Sequence, residues 1–171
     1  MKKTNEILDF RVISTNDDIA IMGFQCADNE LNSFLKDDAL DNQISMLSVT
    51  YLVYLNDTLT SYFSLVNYAM RKKLIRPEDG ESGYDYSHYP ALKIARLAVQ
   101  EEFERQGIGT AMLVKSISIA HIVSKIVGCR IVTVDAKKTS IGFYERYGFK
   151  KAITPQEADT ITMYLDLNKM K

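Results

Sequence analysis

The stretch that most restricts the fold lies at 93–134. An apolar, strand-like run, Lys-Ile-Ala-Arg-Leu-Ala-Val, leads into an acidic turn at 100–104 and two glycines spaced Gly107-x-Gly109. A long apolar segment and a second strand-like run, Ile-Val-Thr-Val, follow. Ile108, Ala111, Met112, Leu113, Ile117, Ala120 and Ser124 recur at helical intervals, and most positions between them are apolar too, so this helix is expected to be largely buried. Gly128 ends it. Strand, helix, strand in this order makes a right-handed crossover between parallel strands. The nearly all β-branched second strand fits a sheet covered on both faces. The fold class is therefore α/β.

Elsewhere, 7–13 alternates like a first strand, and Asn29 is a candidate cap for a helix with Leu31, Phe34, Leu35 and Ala39 on one face. Val49–Leu55 and 59–68 are rich in β-branched and aromatic residues and flank Asn56-Asp57, which predicts a hairpin. From 71 to 92, Pro77, Gly80, Gly83 and Pro90 sit among charges and Tyr84, Tyr86 and Tyr89. A loop this long inside a compact domain is usually functional or disordered, and this one is expected to border the substrate site. A short helix over about 140–147 is stopped by Gly148, and 149–167 can supply two more strands.

A chain of 171 residues suits one domain, taken as 1–171, with enough core to need neither disulfide nor metal. Cys26 and Cys129 fall in no zinc-like spacing and are expected to be buried thiols. No metal site is expected. Asp9 and Arg11 break the apolar run a signal peptide would need, and no stretch approaches the ~20 apolar residues of a membrane helix. A cytoplasmic protein without a membrane partner is the expectation. The net charge of −1 and pI ≈ 6.1 give no overall pull toward nucleic acid. Arg71, Lys72, Lys73 and Arg76, then Lys137 and Lys138, then Lys150 and Lys151 are the local basic clusters, and solvated surface charge is the default reading of each.

The chemistry concentrates at Gly107-x-Gly109. The first amides of a helix have no intrahelical partner, and the helix dipole adds partial positive charge there, so the terminus suits a phosphate. Glycine removes side chains that would hold a pyrophosphate off. Met112 stands where a dinucleotide fold has its third glycine, and the lysine and Ser/Thr of a P-loop are missing, so NAD and ATP fit poorly.

Beyond the second strand, which runs into Asp135-Ala-Lys137, stands Gly-Phe-Tyr-Glu-Arg-Tyr-Gly-Phe at 142–149. Together with the glycine pair, this resembles the GNAT superfamily of acetyltransferases, and the resemblance covers 93–149 well. It implies the GNAT fold: a mixed central sheet of about six or seven strands and about four helices, with parallel strands 4 and 5 splayed to admit the pantetheine arm of acetyl-CoA. It implies that Leu97, Ala98 and Val99 offer main-chain hydrogen bonds to pantetheine. Arg105, Gln106, Gly107, Ile108, Gly109 and Thr110 would cradle the pyrophosphate, with Ser140 and Phe143 completing the cofactor set. Glu104 departs from the family's Gln or Arg; a carboxylate there opposes an anion unless it faces solvent, with Arg105 as an offsetting charge. Thr139 and Ser140 replace the frequent Asn before the short helix, and either can cap.

Tyr144 matches the tyrosine that protonates the leaving thiolate in many family members. A phenol with pKa near ~10 keeps its proton until the tetrahedral intermediate collapses. The competing reading of a Tyr beside Phe on a short helix is core packing. No general base emerges: Glu101, Glu102 and Asp135 suit solvated turn or cap roles, and His88 and His121 are isolated.

A finer resemblance, to the tRNA-acetylating GNAT toxins of toxin–antitoxin pairs, runs through Phe24-x-Cys26, Leu31, Phe34-Leu35, Ala39, Ser61-Tyr-Phe-Ser-Leu65, Ala95-Arg-Leu-Ala-Val99 and Asp135-Ala-Lys137. It implies the α-amine of aminoacyl-tRNA as acceptor and a small DNA-binding antitoxin as partner. Family toxins tend to be basic where they meet RNA, which a pI ≈ 6.1 fits less well. The readings are thus direct acetyl transfer to an amine (small molecule, peptide or aminoacyl-tRNA), the toxin form of that activity, and an acyl-CoA-binding module without turnover. A homodimer is the oligomer to test.

Overall fold

The computed structural model describes residues 7–154 and 159–170. In chain order the elements are β1 (Leu8–Val12), α1 (Asp18–Met22), α2 (Asn29–Ser33), α3 (Ala39–Ile44), β2 (Val49–Leu55), β3 (Thr58–Arg71), β4 (His88–Val99), α4 (Ile108–Ile126), β5 (Ile131–Lys137), α5 (Ile141–Glu145), β6 (Lys150–Lys151) and β7 (Thr160–Asp166). The strands hydrogen-bond in the order β1-β2-β3-β4-β5-β7-β6. β4 and β5 are parallel, while β1–β2, β2–β3, β5–β7 and β6–β7 are antiparallel. The parallel pair is the one expected from the crossover segment, and the mixed sheet is the one the resemblance implied. The chain forms two compact units: the first takes it up to Val66 together with Arg96–Lys115, and the second takes Asn67–Ala95 with the chain from Ser116 onward.

In the first unit, β2 and β3 pair from Val49↔Leu65 to Leu55↔Thr58. Asn56 and Asp57 have φ of 48° and 62°, the two left-handed positions that match a tight turn to the twist of its strands. Asn and Asp are the residues that tolerate that conformation best after glycine. The cap of α2 is Asp28, not Asn29: its carboxylate accepts from the Glu30 amide at 2.9 Å. One residue of displacement is what an Asp-Asn pair allows, since both side chains can cap. Phe34–Asp38 forms a wide π turn between α2 and α3, a form common at functional positions. Leu35 and Ala39 are buried, and Leu31 and Phe34 pack against the same core of Phe24, Leu52 and Tyr62. Asn32 is buried because it closes the turn below it, accepting from the Cys26 amide and donating to the Cys26 carbonyl, both at 2.9 Å.

In the second unit, the parallel ladder runs from Ala91↔Ile131 to Ile94↔Val134, and β4 itself continues to Val99. β7 pairs along β5 from Ile131↔Asp166 to Lys137↔Thr160. The expected loop over 71–92 is shorter at both ends. β3 reaches Arg71, a tight helical turn takes Lys72–Leu74, and β4 begins at His88 with Pro90 inside it. Pro90 has no amide to donate, but its carbonyl accepts from the Arg130 amide at 2.8 Å, so the strand passes through it. Two carboxylates clasp the remaining loop. Asp166 accepts from the Gly80 amide at 2.9 Å and from Arg130 Nε at 2.5 Å, and Asp79 accepts from Tyr164 Oη at 2.7 Å and Lys150 Nζ at 2.8 Å.

The helix expected to be largely buried is buried along one stripe only. Ile108, Met112, Leu113, Ser116, Ile117 and Ala120 face inward, while Val114, Ile122, Ile126 and Val127 are 53–77% exposed. Its apolar residues surround the axis, so periodicity could not show which side the sheet covers. Cys26 and Cys129 are free, buried thiols, as expected. Among the described residues no helix is long and apolar enough to cross a membrane.

Candidate active site

The glycine pair sits where the sequence placed it. After β4, a tight turn at Glu101–Phe103 leads to Arg105, which has φ 59°, then to Gly107 with φ 84°, and α4 starts at Ile108. A side chain on Gly107 would meet no atom within 4 Å, so no neighbour in the protein demands glycine there. The left-handed backbone is what asks for it, and the space around it is open to a ligand. The amides of Ile108 and Gly109, at the first turn, have no partner among the described residues. Ile108 itself is buried and anchors the turn. Gln106 is exposed, and its Nε2 donates to the Glu102 carbonyl at 3.0 Å, which tightens the loop from within. Thr110 is half-buried.

Glu104 and Arg105 are both exposed, so the carboxylate that departs from the family pattern faces solvent. Of the strand residues before the turn, Ala98 is buried and Leu97 and Val99 are half-buried. Gln100 fixes the exit of β4: its amide donates to the Thr60 carbonyl at 2.8 Å and its side chain to the Leu59 carbonyl.

In the second unit, Ser140 occupies the cap position of α5, but its side chain makes no capping hydrogen bond. That corrects the expectation that it caps. Phe143 is half-buried and packs edge-on against Tyr144, with ring centroids 5.0 Å apart. Tyr144 is 6% exposed and also meets Phe149 edge-on at 5.6 Å. Its ring is core, yet its hydroxyl is not engaged. The hydroxyls of the other buried tyrosines, Tyr54, Tyr62, Tyr89 and Tyr164, each bond to Asp17, Leu31, Glu81 and Asp79 respectively, whereas that of Tyr144 has no partner among the described residues. Burial alone pushes the Tyr144 phenol up to about 12.

The carboxylates weighed as bases are otherwise occupied or exposed. Asp135 pairs with Lys93 Nζ at 2.5 Å and accepts from Thr162 Oγ1 at 2.8 Å, while Glu101 and Glu102 lie exposed on the turn. His88 pairs with Ser87, and His121 is exposed on α4. One feature left no local signal in the sequence: Arg96 lies 4.9 Å over the Phe34 ring, in a cavity of about 430 Å³ beside the π turn that also holds Glu30 and Asp38. These residues are far apart in the chain, and the π turn that brings them together follows no simple periodicity.

Residues 69–151 match the family model described as an acetyltransferase (GNAT) domain. That stretch, just under half of the chain, takes in the end of β3, β4, the glycine-opened helix α4, β5 and α5. Among solved structures, the chain is similar to AtaT complexed with acetyl-methionyl-tRNAfMet, with TM-score 0.84, 17% identity and coverage of 95% of this chain and 96% of that one. It is also similar to a tyrosine-to-phenylalanine mutant of KacT, with TM-score 0.82, 21% identity and coverage of 94% and 95%. The KacTA–DNA complex matches with TM-score 0.73 at 23% identity, covering 95% and 94%. At these identities the likeness fixes the fold.

Proposed function

We propose that this chain is an acetyl-CoA-dependent N-acetyltransferase that moves the acetyl group directly from the thioester to an amine. The observation that carries this is the opening of α4: left-handed Gly107 surrounded by open space, followed by the unpartnered amides of Ile108 and Gly109. Such a terminus holds a diphosphate through oriented amide protons and the helix dipole. Arg105, Gln106 and Thr110 complete that cradle. Leu97, Ala98 and Val99 follow the last pair of the β4–β5 ladder, and their main chain suits the amides of pantetheine. Ser140 and Phe143 are the remaining cofactor contacts in this reading.

In the reaction a neutral amine attacks the thioester carbonyl, an N–C bond forms, and the tetrahedral intermediate expels the thiolate as the C–S bond breaks. Tyr144 donates its proton to that sulfur. The amine's surplus proton leaves to solvent, so an acceptor of low basicity is favoured.

The low-basicity argument favours the α-amine of an aminoacyl ester, and the similar AtaT structure carries acetyl-methionyl-tRNAfMet. Aminoacyl-tRNA is accordingly the acceptor proposed within this reading. A further AtaT structure holds the C-terminus of the antitoxin AtaR, and KacTA binds DNA, which supports a small DNA-binding antitoxin as partner here. A homodimer and a cytoplasmic setting complete the proposal. The test is release of free thiol from acetyl-CoA with a panel of amines, peptides and charged tRNA, with the product identified by mass. Turnover on charged tRNA at the α-amine is expected. No thiol release with any acceptor would reduce the chain to an acyl-CoA-binding module.

A further inference from the structure

β4 and β5 separate early. Their parallel ladder ends at Ile94↔Val134, although β4 continues to Val99 and β5 to Lys137. β5 keeps its other neighbour beyond that rung, from Asp135↔Thr162 to Lys137↔Thr160, so the strand that leaves is β4. A parallel pair has evenly spaced hydrogen bonds and no tight turn of its own to fix where it stops. Something outside the backbone ladder has to fix it.

A row of side chains crosses the sheet at that place. Lys93, one residue before the last rung on β4, donates from Nζ to Asp135 Oδ2 at 2.5 Å, and Asp135 is the first residue after that rung on β5. The other carboxylate oxygen, Oδ1, accepts from Thr162 Oγ1 on β7 at 2.8 Å. Toward β3, Lys93 Nζ lies 5.1 Å from the centroid of the Tyr68 ring. Tyr68, Lys93, Asp135 and Thr162 thus tie the neighbouring strands β3, β4, β5 and β7 together, and all four lie in the second unit. The Lys93 side chain is 23% exposed and that of Asp135 40%, so the ion pair adds little to global stability. Its members are nonetheless held in place, the ammonium between carboxylate and ring and the carboxylate between ammonium and hydroxyl.

We propose that Lys93 and Asp135 are positioning residues that fix the rung at which β4 separates from β5. They act through the main chain that follows on β4, Ala95 to Val99, and set how that stretch is presented to the pantetheine arm. The inference deepens the acetyl-CoA reading and rests on it. Without this clip the last rungs open more often, and binding of the arm has to close them first, which weakens it.

The experiment measures equilibrium binding of acetyl-CoA and of 3′-phospho-ADP, the anionic half of the coenzyme without its pantetheine arm. Wild type, Lys93→Met, Asp135→Asn, the double variant and Lys93→Arg are compared, with a melting curve for each. Acetyl-CoA should bind Lys93→Met about tenfold more weakly and Asp135→Asn severalfold more weakly, at melting temperatures close to wild type. The double variant should be no worse than Lys93→Met, because both substitutions break the same bond. Lys93→Arg keeps a cation for Asp135 and should restore affinity, and 3′-phospho-ADP should bind every variant alike. The sign at Asp135 separates the clip from a field effect: removing a carboxylate favours an anion where charge alone acts, whereas loss of the clip weakens binding. Tighter acetyl-CoA binding by Asp135→Asn overturns the proposal, as do additive losses in the double variant or an equal loss for 3′-phospho-ADP. Wild type that binds no acetyl-CoA overturns the acetyl-CoA reading and this proposal with it. Wild type that binds acetyl-CoA no better than its single variants overturns the clip alone.

Discussion

A phenol packed edge-on against Phe143 and Phe149 is largely withdrawn from water and keeps its proton. With its pKa pushed up to about 12, Tyr144 stays protonated across the working pH range, which is the state the proposed proton donor needs. Replacing it with Phe removes only the unengaged hydroxyl, so packing and acetyl-CoA affinity should hold while kcat drops by about 10²-fold or more. Steady-state kinetics together with equilibrium binding of acetyl-CoA make the check: a kcat within a factor of about two of wild type would leave Tyr144 a packing residue. This residue is legible in the sequence because its aromatic setting, Phe-Tyr-Glu-Arg-Tyr-Gly-Phe, is local. The unengaged hydroxyl is not legible, since it depends on what distant residues fail to supply.

The turn into α4 carries the element-scale argument. Gly107 has room for a side chain but a φ of 84°, so Gly107→Ala should cost about 1 kcal/mol through backbone strain alone. The same methyl would stand in the open space in front of the helix amides, so acetyl-CoA should bind about tenfold more weakly. Melting temperature and binding by calorimetry separate the two effects; strain without weaker binding would detach the turn from the cofactor. Arg105 holds a left-handed φ of 59° that glycine adopts without strain, so Arg105→Gly should raise the melting temperature slightly. If the guanidinium also contacts the diphosphate, the same change weakens acetyl-CoA; if affinity is unchanged, Arg105 is only a strained turn residue. Turns set by local chemistry, such as Asn56-Asp57 and Gly107, are readable from sequence. The start of β4 at His88 is not, because tyrosines, charges and a proline read as loop until Arg130 and Asp166 are in place to hold the backbone. The π turn at Phe34–Asp38 and the exposed side of α4 are likewise decided by packing.

Across the whole molecule, buried tyrosines tie stability to alkaline pH. Tyr54 and Tyr144 are each held at about 12, and burial also drives Tyr62 and Tyr164 well above the usual phenol value, Tyr54 further helped by its bond to Asp17 and Tyr164 by its bond to Asp79. In the unfolded chain each titrates near ~10, so above that pH the unfolded state binds fewer protons than the native one. Their contribution is fully present below ~10 and is lost as pH rises toward the folded values. Each such phenol removes up to about 1.4 kcal/mol per pH unit in that window, so the four together make the alkaline limb steep. On the acid side the sign reverses. Burial raises the Asp166 carboxyl, but Arg130 and the Gly80 and Asn168 amides outweigh it and hold it below 3.8, so its contribution fades only as pH falls through that lowered value. Asp166→Asn leaves Arg130 with only the exposed Glu81 carboxylate as charge partner and should cost about 2–3 kcal/mol near neutral pH, lowering the melting temperature by roughly 4–12 °C. Urea midpoints from pH 3 to 11 test both limbs. Tyr144→Phe should make the alkaline slope shallower and leave the acid limb alone, whereas Asp166→Asn should do the converse; a Tyr144→Phe slope identical to wild type would mean that its phenol is not held out of water.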